Sequence, residues 1–170
     1  REVAVEGFSA LEVDSACGVQ VTRGDAFKVS VTADDNLLDY VRVTESQGTL
    51  RIAMDSSEFQ SFSSTGQQAT ITMPALEAVR LNGASRLTMT GFERVPTFEA
   101  DLDGSSRLDG DVQAGEIRLE TNGASRFELA GSGDSLTLTA DGASQAGLGR
   151  LAVEEARVTL NGASRATVNA

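Results

Sequence analysis

Glu116-Ile117-Arg118-Leu119-Glu120-Thr121-Asn122-Gly123-Ala124-Ser125-Arg126-Phe127-Glu128-Leu129 holds the pattern on which the chain is built. Ile117, Leu119 and Thr121 alternate with charged residues, and Ser125, Phe127 and Leu129 then do the same. This is the period-2 pattern of two strands, each with one buried face. Between them Asn122-Gly123 supplies a corner, because both residues tolerate positive φ. Asn-Gly between strands ordinarily marks a hairpin. Here the tetrapeptide recurs at Asn82-Gly83-Ala84-Ser85, Asp103-Gly104-Ser105-Ser106, Asp141-Gly142-Ala143-Ser144 and Asn161-Gly162-Ala163-Ser164. Successive copies are 21, 19, 19 and 20 residues apart. A fixed period near twenty is the mark of a solenoid, and like corners on one period stack more naturally than unrelated hairpins. The expected fold is all-β: one parallel β-solenoid domain of about 20 residues per turn.

The other copies keep the same parity. Val79 and Leu81 precede Asn82, and Ser85, Leu87 and Met89 follow it. Phe98, Ala100 and Leu102 lead to Ser106, Leu108 and Gly110; Leu136, Leu138 and Ala140 lead to Ser144, Ala146 and Leu148; Val158 and Leu160 lead to Ser164, Ala166 and Val168. Each motif serine therefore points inward just past the bend. There its hydroxyl can satisfy a neighbouring serine or a corner amide. The motif Asn or Asp can bond locally or to the next layer, as Asn ladders do.

The N-terminal half carries a degraded form of this rhythm. Leu11, Val13, Ser15, Cys17, Val19 and Val21 alternate around Asp14-Ser15. Phe27, Val29 and Val31 run into Asp34-Asp35-Asn36, and Leu50, Ile52 and Met54 into Asp55-Ser56-Ser57. The expectation is irregular turns over 1–75 and regular ones over 76–170, with a Ser/Gln-rich insertion at 58–68 on one face. Taken in chain order this makes about eight layers, roughly 40 Å long at ~4.8 Å per layer. Val153-Glu154-Glu155-Ala156 is the one place where a helical turn is expected.

Composition narrows the function. The formal charge is -11 with no His, so phosphate backbones and anionic membranes are repelled and nucleic acid is excluded as a partner. The lone Cys17 rules out an internal disulfide or a multi-cysteine metal site; parity places it in the core, with no His to activate it. Lys28, the one lysine, has no serine placed beside it for a dyad. No apolar run reaches the ~20 residues that span a bilayer. Because residue 1 is Arg, a preceding segment is expected to have been removed, a signal peptide among the candidates.

Four patterns are candidates for chemistry. Arg86, Arg107, Arg126, Gln145 and Arg165 follow the motif serines and form one outward column. It reads as a basic stripe for an anionic glycan, or as charges neutralised by interleaved Asp109 and Glu128; the second reading is favoured. Glu99, Asp101, Asp103, Asp109 and Asp111 cluster in sequence, but the calcium-binding Gly-Gly-x-Gly-x-Asp repeat is absent and a solvated acidic edge is favoured over a metal site. A polysaccharide-cleaving site would pair Asp103 with Arg107. Thr70/Thr72, Thr88/Thr90 and Thr137/Thr139 have the spacing of ice-binding ladders, but lie at different offsets from their corners and are not expected to align. No cofactor or metal is expected.

Phe8-Ser9-Ala10-Leu11-Glu12-Val13, Val19-Gln20-Val21-Thr22-Arg23-Gly24, Asp35-Asn36-Leu37-Leu38, Gly48-Thr49-Leu50-Arg51-Ile52, Pro74-Ala75-Leu76 and the repeated Asn-Gly-Ala-Ser together resemble the bacterial "head GIN domain" family, a domain of unknown function named for putative auto-transporter adhesins. The resemblance covers essentially the whole chain. It implies a right-handed parallel β-helix exported to the periplasm, the outer-membrane surface or the medium, an adhesive role and no established catalytic residues. The expected function is non-catalytic binding of a surface polysaccharide or protein. The alternatives are a polysaccharide lyase or hydrolase, and a module that self-associates through an exposed C-terminal turn.

Overall fold

The computed structural model describes residues 1–14, 16–34, 37–55 and 67–170. Its strands are β1 (Glu2–Val3), β2 (Ala10–Val13), β3 (Gly18–Arg23), β4 (Lys28–Thr32), β5 (Val41–Ser46), β6 (Thr49–Met54), β7 (Gln68–Met73), β8 (Ala78–Leu81), β9 (Arg86–Leu102), β10 (Arg107–Thr121), β11 (Arg126–Ala140), β12 (Gln145–Leu160) and β13 (Arg165–Asn169). A 3-10 turn at Leu38–Tyr40 is the helical element among the described residues.

The chain is a β-solenoid, with about 5 turns of ~20 residues each. In its regular part each long strand leaves one Asn/Asp-Gly corner, bends twice and arrives at the next. Parallel pairing sets Leu87, Leu108, Phe127 and Ala146 in one inward column, and Phe98, Ile117 and Leu136 in another. Leu87, Leu108, Phe98, Ile117 and Phe127 have no exposed surface, so the apolar alternation of the sequence becomes one continuous core.

The corners explain the tetrapeptide. Gly104, Gly123 and Gly142 have φ of 75°, 80° and 81°. The corner N–H of Ala124 bonds the carbonyl of Gly104 below it at 2.8 Å, and that of Ala143 bonds Gly123 at 2.8 Å. A Cβ on Gly123 would fall 2.5 Å from the Gly104 oxygen. Glycine is thus required twice over, by conformation and by close stacking. Ser85, Ser106, Ser125 and Ser144 are buried as expected and Ser164, in the last turn, is half-buried, but their hydroxyls bond corner carbonyls and not corner amides. Ser85 and Ser106 donate to Asn82 O and Asp103 O, both at 2.8 Å. Ser144 reaches Asp141 O at 3.1 Å and also pairs with the Thr121 hydroxyl at 3.0 Å. The reason is geometric: each corner amide already serves the layer below, which leaves carbonyl oxygens as the open partners.

One column of corner side chains alternates in kind. Asp14, Asn82, Asp103, Asn122, Asp141 and Asn161 follow one another up the stack, as their backbone bonds from layer to layer show. Asn82 Nδ2 donates to Asp14 Oδ1 at 2.7 Å, and Asn161 Nδ2 to Asp141 Oδ1 at 2.6 Å. Alternation gives carboxylates amide neighbours where a run of Asp would stack like charges ~4.8 Å apart.

The N-terminal half departs from the chain-order stack expected from sequence. β2 and β3 form the layer directly beneath β8 and β9, with Ala10 opposite Ala78 and Gly18 opposite Arg86. Beneath that layer, in turn, lie β6 and β7, with Ala10 opposite Thr49 and Gly18 opposite Gln68. The first layer of the sequence is therefore sandwiched between two later ones. In it Cys17 takes the serine's place, its carbonyl accepting from Arg86 N–H at 3.0 Å. β4 and β5 are not parallel turns: they run antiparallel to β7 and β6, and β1 runs antiparallel to β4. They cap the stack. The β5–β6 hairpin turns on Gln47-Gly48, both at positive φ (52° and 79°), a pair that lacks the Asn-Gly signature. Asp34 accepts from Leu37 N–H at 2.7 Å and leads into the 3-10 turn, so it is no solenoid corner. The expected corners at Ser15, Asp35-Asn36 and Ser56-Ser57, and most of the 58–68 insertion, fall outside the described residues.

At the other end β13 covers the first part of β12, and among the described residues neither β13 nor the last stretch of β12 has a strand on its outer side. Val158 and Leu160, which continue two inward columns, are 39% and 41% exposed. Val153–Ala156 is strand within β12 and not a helical turn, because its backbone groups pair with β11.

Candidate functional site

The strand segment before each corner presents its outward residues on one face. Counting back two positions from the corner Asp or Asn gives Glu12, Arg80, Asp101, Glu120 and Thr139; counting back four gives Ala10, Ala78, Glu99, Arg118 and Thr137. Pairing places each set in one column. Both columns line a groove of about 510 Å³ across β2, β8, β9, β10 and β11. Ala10 and Ala78 contribute short side chains to the lining beside the longer Glu12 and Arg80 of the same layers, and Thr137 and Thr139 stand at the other end.

Its charges are of both signs, with Asp101 and Glu120 as direct register neighbours and Arg80 beside Asp101 on the other side. Arg80 Nε lies 3.9 Å from Asp101 Oδ2, Arg118 Nη1 3.5 Å from Glu99 Oε1, and Arg118 Nε 2.7 Å from Glu116 Oε1. Below them Arg51 reaches Glu12 at 3.7 Å and Asp14 at 2.7 Å. These are exposed pairs worth little to stability each, so their value lies in presenting donors and acceptors side by side. Asp101 stands apart: Oδ1 is buried and has no hydrogen-bond partner among the described residues. Its carboxyl is pushed above the ordinary range, first by burial and second by neighbouring Asp103, with Arg80 opposing.

An acid whose folded pKa is raised holds its proton more firmly folded than unfolded. Ionisation therefore costs stability above the folded pKa, and the cost disappears as pH falls through it. Asp101→Asn is expected to raise Tm at pH 7 by on the order of 1–2 °C, a small effect because solvent screens the group. Thermal melts from pH 7 to pH 3 check this: the gap between the two proteins should close on acidification.

The arginines singled out by sequence lie on a different face. Arg86, Arg107, Arg126, Gln145 and Arg165 are in register up β9, β10, β11, β12 and β13. Arg107 Nε bonds both oxygens of Asp109, at 2.9 and 2.7 Å, and this bond is the chief cause of its raised pKa. Arg126 Nε lies 3.2 Å from Glu128. Among the described residues no carboxylate reaches ion-pair distance of Arg86 or Arg165. The centre of the column is thus neutralised and its ends are free. Arg107 pairs with Asp109, two residues on along its own strand, and not with the corner residue Asp103 named from sequence as a catalytic partner.

Two further expectations change. Thr70 and Thr72 do align with Thr88 and Thr90, because β3 lies between them and sets Gln20 opposite both Thr70 and Thr88, and Thr22 opposite both Thr72 and Thr90. Corner offsets misled because they assumed layers in chain order. The array is only three strands deep and Gln20 interrupts it; Thr137 and Thr139 line the groove instead. Cys17 is buried, its thiol pushed up to about 11 by desolvation, which keeps it protonated and inert. Among the described residues no cluster of three metal-ligating side chains occurs, and no helix is long and apolar enough to cross a membrane.

Comparison with known proteins places this geometry. Residues 7–170 match the family model described as "Putative auto-transporter adhesin, head GIN domain". No curated protein matches the chain. Among solved structures, a "putative adhesin" from Bacteroides fragilis superposes with a TM-score of 0.92 at 18% identity, over 100% of this chain and 79% of its own. A "putative lipid binding protein" from Parabacteroides distasonis gives 0.76 at 17% identity, over 99% and 80%. A "putative adhesin" from Parabacteroides merdae gives 0.72 at 14% identity, over 99% and 79%. At these identities the likeness is one of fold.

Proposed function

The chain belongs to the head GIN domain family, described as "Putative auto-transporter adhesin, head GIN domain", and from that premise we propose that it is a non-catalytic binding protein of the bacterial cell envelope whose ligand is a surface glycan. The observation that carries this reading is the groove. Carboxylates of Glu99, Asp101 and Glu120 share its lining with the guanidiniums of Arg80 and Arg118. A sugar chain carries hydroxyls that both donate and accept, and such a surface offers it both kinds of partner at close spacing. Asp101 supports the same reading, since a carboxylate oxygen left without a partner costs stability and is retained at a functional surface. A protein surface is the second ligand class, and periplasm, outer-membrane surface or the medium is the proposed location.

The arginine column Arg86, Arg107, Arg126 and Arg165 is the weaker surface of the two, because Asp109 and Glu128 already occupy its middle pair. A polysaccharide-cleaving activity built on Asp103 and Arg107 is the less supported alternative, since Arg107 is already bonded to Asp109. The corner residues Asn82, Gly83, Ser85 and their repeats are assigned to architecture.

The test is a glycan array followed by calorimetry on the best hit. Arg118→Ala and Glu120→Gln are expected to weaken binding about tenfold each, the loss of a charge-assisted hydrogen bond, while Arg107→Glu leaves it unchanged. A hit that depends on Arg107 and ignores Arg118 overturns the groove. Unsaturated products released from an acidic polysaccharide overturn the non-catalytic reading.

A further inference from the structure

We propose that the pocket at Arg86, the free end of the arginine column, is a second carbohydrate site, and that it takes the carboxylate of an acidic sugar in a polysaccharide chain. The pocket lies on a different face from the groove and rests on separate observations, so either site can fail without the other.

Charge sets this face apart. β3, β4, β7 and residues 86–90 of β9 contain no Asp or Glu, in a chain that carries 25 of them, while Arg23, Lys28 and Arg86 fall within these segments. β4, β7, β3 and β9 are neighbours in that order, so they make one continuous sheet face. At its far edge Glu2 of β1 reaches Lys28 at 3.9 Å. Val19, Ala69 and Leu87 are buried, which turns Gly18, Gln20, Gln68, Thr70, Arg86 and Thr88 outward. These six line a pocket of about 260 Å³. Pockets for drug-sized ligands run from ~300 to ~1,000 Å³, so this one suits a single sugar ring.

Gly18 makes the space. It stands between Gln68 and Arg86 in the column that continues through Arg107, Arg126, Gln145 and Arg165, and among the described residues it is the one member without a side chain. Neither conformation nor packing demands glycine there. Its φ is not positive, and an added Cβ would meet the Gln67 oxygen at 3.5 Å and Gln68 Cγ at 3.9 Å, both ordinary contacts. A strand glycine gives up packing, and it marks a place where another group comes close to the backbone. Arg86 supplies the charge. Among the described residues no carboxylate lies within ion-pair distance of it. Asp109, opposite Thr88 in register, has both oxygens held by Arg107 Nε. A guanidinium presents paired N–H donors that match the two oxygens of a carboxylate. It balances that single charge, whereas a phosphate group carries up to about two and the lining holds no second cation. Gln20, Gln68, Thr70 and Thr88 both donate and accept, as ring hydroxyls require. The apolar lining residues Val19 and Ala69 are buried, so an apolar peptide side chain would find no partner.

Calorimetry with tetramers of galacturonate, of mannuronate and of the glucuronate–N-acetylglucosamine repeat is expected to show binding of at least one. Its methyl ester, whose carboxyls carry no charge, should bind at least about tenfold more weakly. Arg86→Gln should cost about as much, and the fold should keep it, since Gln145 occupies the same column. Gly18→Val removes no polar group, yet by filling the pocket it should also weaken binding about tenfold. Arg107→Gln and the groove variant Arg118→Ala should leave the affinity unchanged. No binding of any tetramer, equal binding of the ester, tighter binding of inorganic phosphate or of hexaglutamate, or a Gly18→Val variant that binds like the parent each overturns the proposal. Binding lost in Arg118→Ala and kept in Arg86→Gln overturns it as well and supports the groove; the reverse result upholds it whatever the groove does. Circular dichroism confirms that each variant is folded, and Arg86→Gln with the ester decides the matter even if Gly18→Val does not fold.

Discussion

Gly123→Ala is expected to cost about 3–5 kcal/mol and lower Tm by on the order of 10 °C, although it adds a single methyl group to an exposed corner. Two costs combine. At φ of 80° an L-residue loses about 1–2 kcal/mol to contact between its own Cβ and backbone. The new Cβ then lies 2.5 Å from the Gly104 carbonyl oxygen. That oxygen accepts the Ala124 N–H at 2.8 Å, so it cannot retreat without loosening the bond that joins the layers. The adjacent Ala124→Ser supplies the control: Ser105 fills that position one turn earlier, so the change should stay within about 0.5 kcal/mol. Urea unfolding of the two variants against the parent measures both, and equal midpoints would show that the corner relaxes more freely than its packing implies.

Phe127→Ala is expected to cost about 3–5 kcal/mol by a different route. Phe127 has no exposed surface and stands in the inward column between Leu108 and Ala146. A thin core offers few neighbours able to move into the space, since each is held in a ladder bonded above and below. The cavity should therefore stay open, which places the variant at the high end of that range. Phe127→Leu should retain more than half of the lost stability, because Leu108 already fills the equivalent place in the preceding turn. Equilibrium unfolding of the pair checks the ordering; a Leu variant as unstable as the Ala variant would contradict the account.

Sequence periodicity carried the regular turns almost completely. The strand parity, the inward serines and the arginine column all follow from one rule, that equivalent positions stack, and the pairings of β9 to β13 obey it. The N-terminal layers escaped because local pattern carries no information about which layer lies above which. β2 and β3 alternate like any other turn, yet they insert between later strands, and this choice is made by long-range packing. The β4–β5 cap escaped for a related reason: Val29 and Val31 alternate equally well in a parallel or an antiparallel strand. The groove does leave a signal in the sequence: Glu12, Arg80, Asp101, Glu120 and Thr139 all sit two places before a corner residue, so the repeat aligns them in one column, distinct from the column of residues after the corner. What local pattern does not reveal is that Ala10 and Ala78 are register neighbours, because that pairing depends on β2 lying directly beneath β8.

The alternation of Asp14, Asn82, Asp103, Asn122, Asp141 and Asn161 restricts how this molecule can grow. Insertion of one extra turn copied from a neighbour would set two carboxylates, or two amides, against each other. Insertion of two turns together would preserve the order. Internal growth of such a stack is therefore favoured in pairs of turns, and a relative that keeps the alternation across an internal insertion or deletion should differ there by about forty residues, so charge at a corner sets the step in which the interior of the body can be extended.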